Sequence, residues 1–352
     1  MKVLVLAQAY PTGKNPYQMM YVHARVLEYI RQSVGVTVMS FSCKESYDFE
    51  GVNVIPESYC DISQYDRVVS HAPNIRNHLR YLVANRKQLN RVTFFFHGHE
   101  ALIKSRYYPG EYNNPKSTFN SVFKQGLDYG YDLTKLLLLR AFIRVFSSKV
   151  NLVFVSEWMK KHFELNVGEI PPSVDSVVIP NSANAIFIQG AWDSSSEKKY
   201  DFVSIRPLSG RKYAVDVICQ LALDNPEKSF LLYGKGDYFD CHTQPVNVEW
   251  NNGFLQPSEI PRVLDSASAA LMPTRLDAQG VMMCEMASYG IPLITSELDV
   301  CHEVLQGFEE VYFIDNDKPV LPVLTQSPQV VKNNVYSPVS LAKRELDFIA
   351  GG

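Results

Sequence analysis

The densest chemistry lies between residues 272 and 296, where the chain reads Met272-Pro-Thr-Arg-Leu-Asp277-Ala-Gln-Gly280-Val281-Met-Met-Cys-Glu285-Met-Ala-Ser-Tyr-Gly290-Ile-Pro-Leu-Ile-Thr-Ser. A buried strand is expected to end at Pro273, with a loop bearing Asp277 after it. Gly280 then opens a helix that Gly290 closes. A glycine at a helix N-terminus lets backbone N–H groups approach an anion, and the helix dipole favours negative charge there. Glu285, just over one turn in, can accept two hydrogen bonds from a vicinal diol such as a ribose. Asp277, on the loop before the helix, is placed for the next group along such a ligand.

A second segment, Phe202-Val-Ser-Ile-Arg206-Pro-Leu-Ser-Gly210-Arg211-Lys212, leaves a strand at Arg206 and opens a helix near Lys212. Two fixed cations at the mouth of a sheet can clamp a diphosphate, the arginine through its bidentate fork. Such a clamp stabilises charge on a departing diphosphate without a metal ion. A third segment, Phe94-Phe95-Phe96-His97-Gly98-His99-Glu100, ends a buried strand in the first half. His97 lacks a further His or Cys at helical spacing, so metal ligation is not expected there. Solvated loop cations, an ordinary helix acid and a structural histidine are the plainer readings of these residues.

These groups need a scaffold, and the pattern supplies one. Strand-like runs alternate with helical patterns throughout, as in parallel sheets wound with helices. Strands are expected at 3–6, 36–41, 52–55, 67–70, 92–96, 151–155 and 177–179, with helices at 17–31, 75–89 and 133–146. Asn181 to Lys199 loses periodicity and reads as a linker. The alternation restarts with strands at 201–205, 230–233, 247–250, 269–272, 292–295 and 311–314. Helices are expected at 213–223, 257–264 and 280–289, and a last one from Pro338. The fold expected is α/β, with two Rossmann-like doubly wound domains facing across a cleft. A first domain would span 1–185, a second 186–335, and a helix within 336–352 would cross back to the first. Ligands of such folds bind at the carboxyl ends of the strands.

The 352 residues suit two such domains, and 46% hydrophobic with 20% charged residues excludes wholesale disorder. The net charge of -3 argues against a nucleic-acid partner, yet residues 101–150 hold eight Lys or Arg against three acids. Aromatics and leucines interleave with those cations, including Tyr107, Tyr108, Phe119, Phe123 and Leu136–Leu139. Residues 104–149 are therefore either a surface for an anionic membrane or a core helix with a solvated basic face. Six scattered cysteines without a C-x-x-C pair read as reduced thiols. No apolar run approaches a membrane span, so a cytoplasmic protein is expected, peripheral on the inner face of the membrane if 104–149 is such a surface. Gln8-Ala-Tyr-Pro-Thr-Gly after the first strand lacks the glycine pattern of a dinucleotide oxidoreductase.

Together these segments resemble the family-4 retaining glycosyltransferases of the GT-B fold. The family's E-x7-E motif and the helix after it are matched by Asp277-x7-Glu285-Met-Ala-Ser-Tyr-Gly290-Ile-Pro292-Leu-Ile. Its arginine and the lysine six residues on are matched by Arg206 and Lys212. Val155-Ser-Glu-Trp-Met-Lys-Lys161, Val178-Ile-Pro-Asn181 and Gly234-Lys-Gly236-Asp237 look like three further family segments. The match is strongest over 151–305. The resemblance implies that Glu285 binds the nucleotide ribose and that Arg206 with Lys212 holds the diphosphate. It also implies that Gly280 and Val281 give amides to phosphate and that Asp277 touches the donor sugar. His97 matches a histidine near the reacting centre, and Gly13 a glycine-containing first loop. The implied activity is retaining, metal-independent transfer of a sugar from a UDP or GDP donor, with no cofactor. The acceptor implied is a glycan or lipid-linked glycan of surface polysaccharide. Asp277 replaces the family's first glutamate, and a single Gly13 replaces a glycine pair. A nucleotide-sugar epimerase of the same fold and a non-catalytic sugar-nucleotide-binding protein remain the alternatives.

Overall fold

The computed structural model describes residues 1–15, 18–110, 112, 120–325 and 331–351. Two compact units result. The first comprises Met1–Arg106, Lys124–Ser182 and Pro338–Gly352, and the second Tyr107–Phe123 and Ala183–Ser337.

The first unit is built on β1 (Lys2–Ala7), β2 (Gly35–Ser40), β3 (Tyr47–Phe49), β4 (Val52–Ile55), β5 (Arg67–His71), β6 (Val92–Phe96), β7 (Val150–Phe154) and β8 (Ser176–Val178). Their order is β3-β4-β2-β1-β5-β6-β7-β8, with every pairing parallel except β3 with β4. Val5 faces Val38 on one side and Val69 on the other. The central strands read as unbroken apolar runs because helices cover both faces, and Leu4, Leu6, Phe94, Phe95, Phe96 and Phe154 are wholly buried. The C-terminal helix Pro338–Gly351 belongs to this unit. Its buried Glu345 accepts from Arg25 Nε at 2.8 Å and from Tyr29 Oη at 2.5 Å, both on the helix Met20–Arg31.

The second unit has six parallel strands, β9 (Tyr200–Ile205), β10 (Phe230–Tyr233), β11 (Val248–Asn251), β12 (Ala267–Met272), β13 (Leu293–Ser296) and β14 (Val311–Ile314). They lie in the order β11-β10-β9-β12-β13-β14. The order reverses between β9 and β12, so the loops leaving those two strands diverge and leave a crevice at their carboxyl ends.

Several elements differ from expectation. The short antiparallel β3 has only three residues, too few for a period-2 signal. The helix expected at 17–31 begins at Met20, and Pro16 and Tyr17 lie outside the described residues. Residues 75–89 form a π-helical turn at Ile75–Leu79 and a short helix Arg80–Ala84. The helix expected at 133–146 is far longer, Asn120–Val145; its first half, with two glycines and little apolar periodicity, gives no helical signal in the sequence. From Ala183 onward the stretch expected to be a linker is folded into the second unit, while Asn181 and Ser182 belong to the first. Phe187 and Trp192 are buried there, and Trp192 Nε1 donates to the Ala267 carbonyl at 3.2 Å. Aromatic anchors, not periodicity, hold that segment.

The Gly234-Lys-Gly236 turn after β10 shows what its glycines do. A Cβ on Gly234 would sit 1.8 Å from the Arg206 carbonyl oxygen, and one on Gly236 2.4 Å from the Leu208 carbonyl carbon. The chain leaving β9 therefore crosses directly over this turn, tied by Leu208 N–H to the Lys235 carbonyl at 2.8 Å. Gly210, also at positive φ, has open space where its Cβ would be. Gly234→Ala is expected to destabilise the protein by more than about 4 kcal/mol, and Gly210→Ala by only about 1 kcal/mol from backbone strain. Urea unfolding of the two variants checks the contrast; equal losses would contradict the close approach.

Candidate functional site

Arg206 leaves the end of β9 and its side chain is buried. Its guanidinium donates to the backbone carbonyls of Tyr213 and Pro273 and lies 3.3 Å from Met272 Sδ. Nε has no partner. Burial pulls its pKa down to about 10, so it remains charged at neutral pH, and the field of Asp277 is among the influences opposing that fall. Among the described residues no carboxylate lies within ion-pair distance of this guanidinium. Carbonyl dipoles hold the cation in place without cancelling it.

Lys212 sits in a 3-10 turn, Arg211–Tyr213, ahead of the helix Val215–Asp224, which begins two residues later than expected. Ala214 takes a left-handed conformation between turn and helix. The Lys212 ammonium lies 4.7 Å over the Tyr213 ring and has no ion pair among the described residues. A third cation close by behaves differently. Arg275 makes a bidentate pair with Asp216, 2.6 and 2.8 Å, and Tyr112 Oη donates to the same carboxylate at 2.9 Å. Arg275 N–H and Thr274 Oγ1 also donate to the Lys212 carbonyl, at 2.9 and 3.1 Å. Arg275 is thus a neutralised strut that fixes the loop after β12 to the loop after β9. Arg206 and Lys212 keep their charge.

Beyond the strut, Asp277 Oδ1 accepts the N–H groups of Ala278 and Gln279 at 2.8 and 3.1 Å, which shapes the loop into Gly280. Gly280 has φ +71°, and the helix Val281–Tyr289 that it precedes has no side-chain cap. The first amides of that helix, Val281 among them, are therefore open to an anion. A Cβ on Gly280 would approach Met283 Cε to 2.9 Å, with Asp277 Oδ2 at 3.6 Å, so the loop is close-packed as well as left-handed.

Glu285 is buried on the same helix. Oε1 accepts the backbone N–H of Asn184 at 2.9 Å, and burial raises the carboxyl to about 7 despite that bond. Oε2 takes no hydrogen bond from the described residues. A carboxylate half-served by one amide is suited to hydroxyl donors that complete its hydrogen bonding.

The structure thus gathers Arg206, Lys212, Asp277, Gly280, Val281 and Glu285 within the second unit. Gly13 and His97 lie in the first. Gly13 occupies an exposed turn closed by reciprocal backbone bonds between Thr12 and Asn15, and its Cβ position is open. His97 follows β6. Its Nε2 is 3.2 Å from Nδ1 of the buried His71, its ring lies 4.6 Å from that of Tyr21, and Glu100 accepts its N–H. Burial first, then the nearby Arg25 charge, holds the imidazole well below its usual pKa, so it is neutral at physiological pH. The loop after His97 is locked by Lys135, which donates to the carbonyls of His99 and Leu102 at 2.8 and 2.9 Å and pairs with Asp132 at 2.7 Å.

Sequence reasoning missed Arg275, Asp216, Tyr112, His71 and Asn184. Arg275 stands inside the densest segment, and its spacing to Lys212 and Asp216 gives no local signal because the contact is between loops. Lys135 was counted with a basic surface, yet it is buried and neutralised. Lys149 likewise caps the carbonyls of Leu89 and Arg86.

No family model matches the chain, and no curated protein matches it in sequence. Solved structures do resemble it in three dimensions. Sucrose-phosphate synthase from Thermosynechococcus elongatus superposes with a TM-score of 0.62 at 10% identity, over 100% of this chain and 94% of the other. WaaG, a glycosyltransferase of lipopolysaccharide biosynthesis, gives 0.61 at 12% identity over 100% of both chains. Anabaena HepE, in complex with UDP and glucose, gives 0.60 at 13% identity over 99% and 95%. Identities this low establish a shared fold, with the two Rossmann-like domains of GT-B glycosyltransferases.

The raised carboxyl of Glu285 carries a stability signature. Its folded pKa of about 7 exceeds the unfolded value of 4.5, so its contribution is fully present below the unfolded pKa and is lost as pH rises through 7. Glu285→Gln cannot ionise and escapes that loss. The stability difference between variant and wild type should shift in favour of Gln by up to about 3 kcal/mol from about pH 4 to pH 8. Denaturation series across that range measure it; a pH-independent difference would contradict the buried, proton-sensitive carboxyl.

Proposed function

We propose that the protein is a metal-independent, retaining glycosyltransferase that transfers a sugar from a UDP or GDP donor. What supports this reading is that Arg206 and Lys212 pair with no carboxylate among the described residues and share a unit with the helix that opens uncapped after Gly280. A diphosphate would supply the balancing charge. Glu285 would receive the ribose hydroxyls, and Asp277 Oδ2 the donor sugar.

As the donor's anomeric carbon gains oxocarbenium character, negative charge grows on the departing diphosphate. Arg206, Lys212 and the amides stabilise that charge through positions fixed before the reaction begins. The acceptor hydroxyl attacks the face from which the diphosphate leaves, which retains configuration. Its proton passes to the departing phosphate oxygen, so no protein nucleophile is needed. His97 and Gly13 serve the acceptor side. His97, neutral at physiological pH, can give or take a hydrogen bond there without adding charge. The acceptor is a glycan or lipid-linked glycan of a surface polysaccharide, met by a cytoplasmic enzyme seated on the membrane. That WaaG acts in lipopolysaccharide biosynthesis and HepE binds UDP with glucose supports the choice of substrates.

Arg206→Ala and Lys212→Ala should each lower turnover by about 10²–10³, equivalent to about 2.7–4 kcal/mol of transition-state stabilisation. Initial rates over a panel of UDP and GDP sugars measure this. Near-wild-type rates in both would discard the clamp. An epimer formed from donor alone, with no acceptor added, would move the assignment to the epimerase.

A further inference from the structure

The long helix Asn120–Val145 has a face that the transfer chemistry does not use. Its inner side buries Leu136, Leu139, Phe142 and Ile143 in the first unit. A helix so placed normally turns polar residues outward. This one turns out Leu127, Tyr131, Leu133, Leu137, Leu138 and Val145, each between 38% and 75% exposed. Leu127, Tyr131, Leu138 and Val145 are spaced by four, seven and seven residues and so lie on one line along the helix; Leu133 and Leu137 widen it. The outer face is therefore a largely apolar arc, interrupted by the exposed Gly130 and Thr134 and bordered by arginines.

The charges at the margins say what covers it. Arg140 and Arg144 are exposed along one edge, and at the other the exposed Arg76 lies 5.1 Å over the Tyr131 ring. Between Leu127 and Val145 the only acids are Asp128 and Asp132. Asp128 is 3.6 Å from the Lys104 ammonium, and Asp132 is buried against Lys135 on the inner side. The helix's own exposed charges along the arc are thus arginines, with Glu169 beside Arg140 and Arg144, in a chain whose net charge is -3. A bilayer with anionic headgroups takes both parts: leucines enter the acyl boundary while arginines reach the phosphates.

We propose that this arc, Leu127 to Val145 with Arg76, Arg140 and Arg144, seats the protein on an anionic lipid surface. It narrows the broader basic stretch to one helix face and removes Lys135 and Lys149 from it. Residues 113–119, including Lys116 and Phe119, lie outside the described residues. The docking stands independently of donor binding; only its consequence, access to a lipid-linked acceptor, rests on the transfer reading.

The test is flotation of the full chain with vesicles of phosphatidylglycerol and phosphatidylcholine against vesicles of phosphatidylcholine alone. Wild type should float with the anionic vesicles, and less so as salt rises. The double variant Arg140→Ala/Arg144→Ala should bind roughly thirtyfold more weakly, at about one kcal/mol per cation. Leu137→Gln/Leu138→Gln should also lose binding, while nucleotide-sugar binding by both variants matches wild type. Flotation unchanged in the leucine pair would overturn the proposal. So would a concentration-dependent dimer in sedimentation that this pair dissolves, which would assign the arc to a second copy. Loss of nucleotide-sugar binding in wild type itself would overturn the transfer reading and leave the docking standing.

Discussion

Positive charge with no carboxylate partner among the described residues is the constraint around which the second unit is arranged. An arginine buried among carbonyls costs desolvation free energy that those dipoles offset only in part. The orphaned Nε of Arg206 and its lowered pKa are both signs of that cost. A fold built only for stability would place a carboxylate there, as it does at Arg275 with Asp216. Asp277, the acid whose field reaches Arg206, turns one oxygen into its own loop instead. The charge is thus held rigidly, which the proposed electrostatic role requires of a group that must not reorganise during reaction.

The rest of the unit keeps that charge in position. The glycines after β10 let the chain from β9 cross within backbone contact, which sets where Arg206 emerges. The Arg275–Asp216 strut joins the loops after β9 and β12, so Lys212 and Gly280 keep a fixed relation. In the first unit a buried ion pair does comparable work. Arg25 is shared by Glu345, by Asn181 at 2.8 Å and by the Tyr21 carbonyl at 3.2 Å, so the last helix of the chain reaches the surroundings of His97. Removing one member of such a pair typically costs about 3–5 kcal/mol.

Much of this was legible in the amino-acid sequence because it rests on local pattern. The strands of both sheets are unbroken apolar runs, and Gly280 and Gly290 bracket their helix as helix-end chemistry requires. The fold class follows from such signals, as does the placement of Arg206, Lys212 and Glu285 in one unit. What escaped depends on contacts between distant segments. Arg275 reads like Arg206 until Asp216 is seen beside it, and Lys135 reads as a surface cation until His99 and Leu102 turn their carbonyls toward it. The half-bonded state of Glu285 depends on Asn184, in a segment read as linker. The apolar outer face of the long helix was partly visible as leucines among cations, but which leucines face outward is decided by packing.

The most direct measurement is a crystal structure of the protein with a bound nucleoside diphosphate. The account requires phosphate oxygens within hydrogen-bond reach of the first amides of the Val281–Tyr289 helix, with the Lys212 ammonium and the Arg206 guanidinium against them and the ribose hydroxyls on Glu285. A nucleotide bound elsewhere, or phosphates distant from both cations, would contradict it.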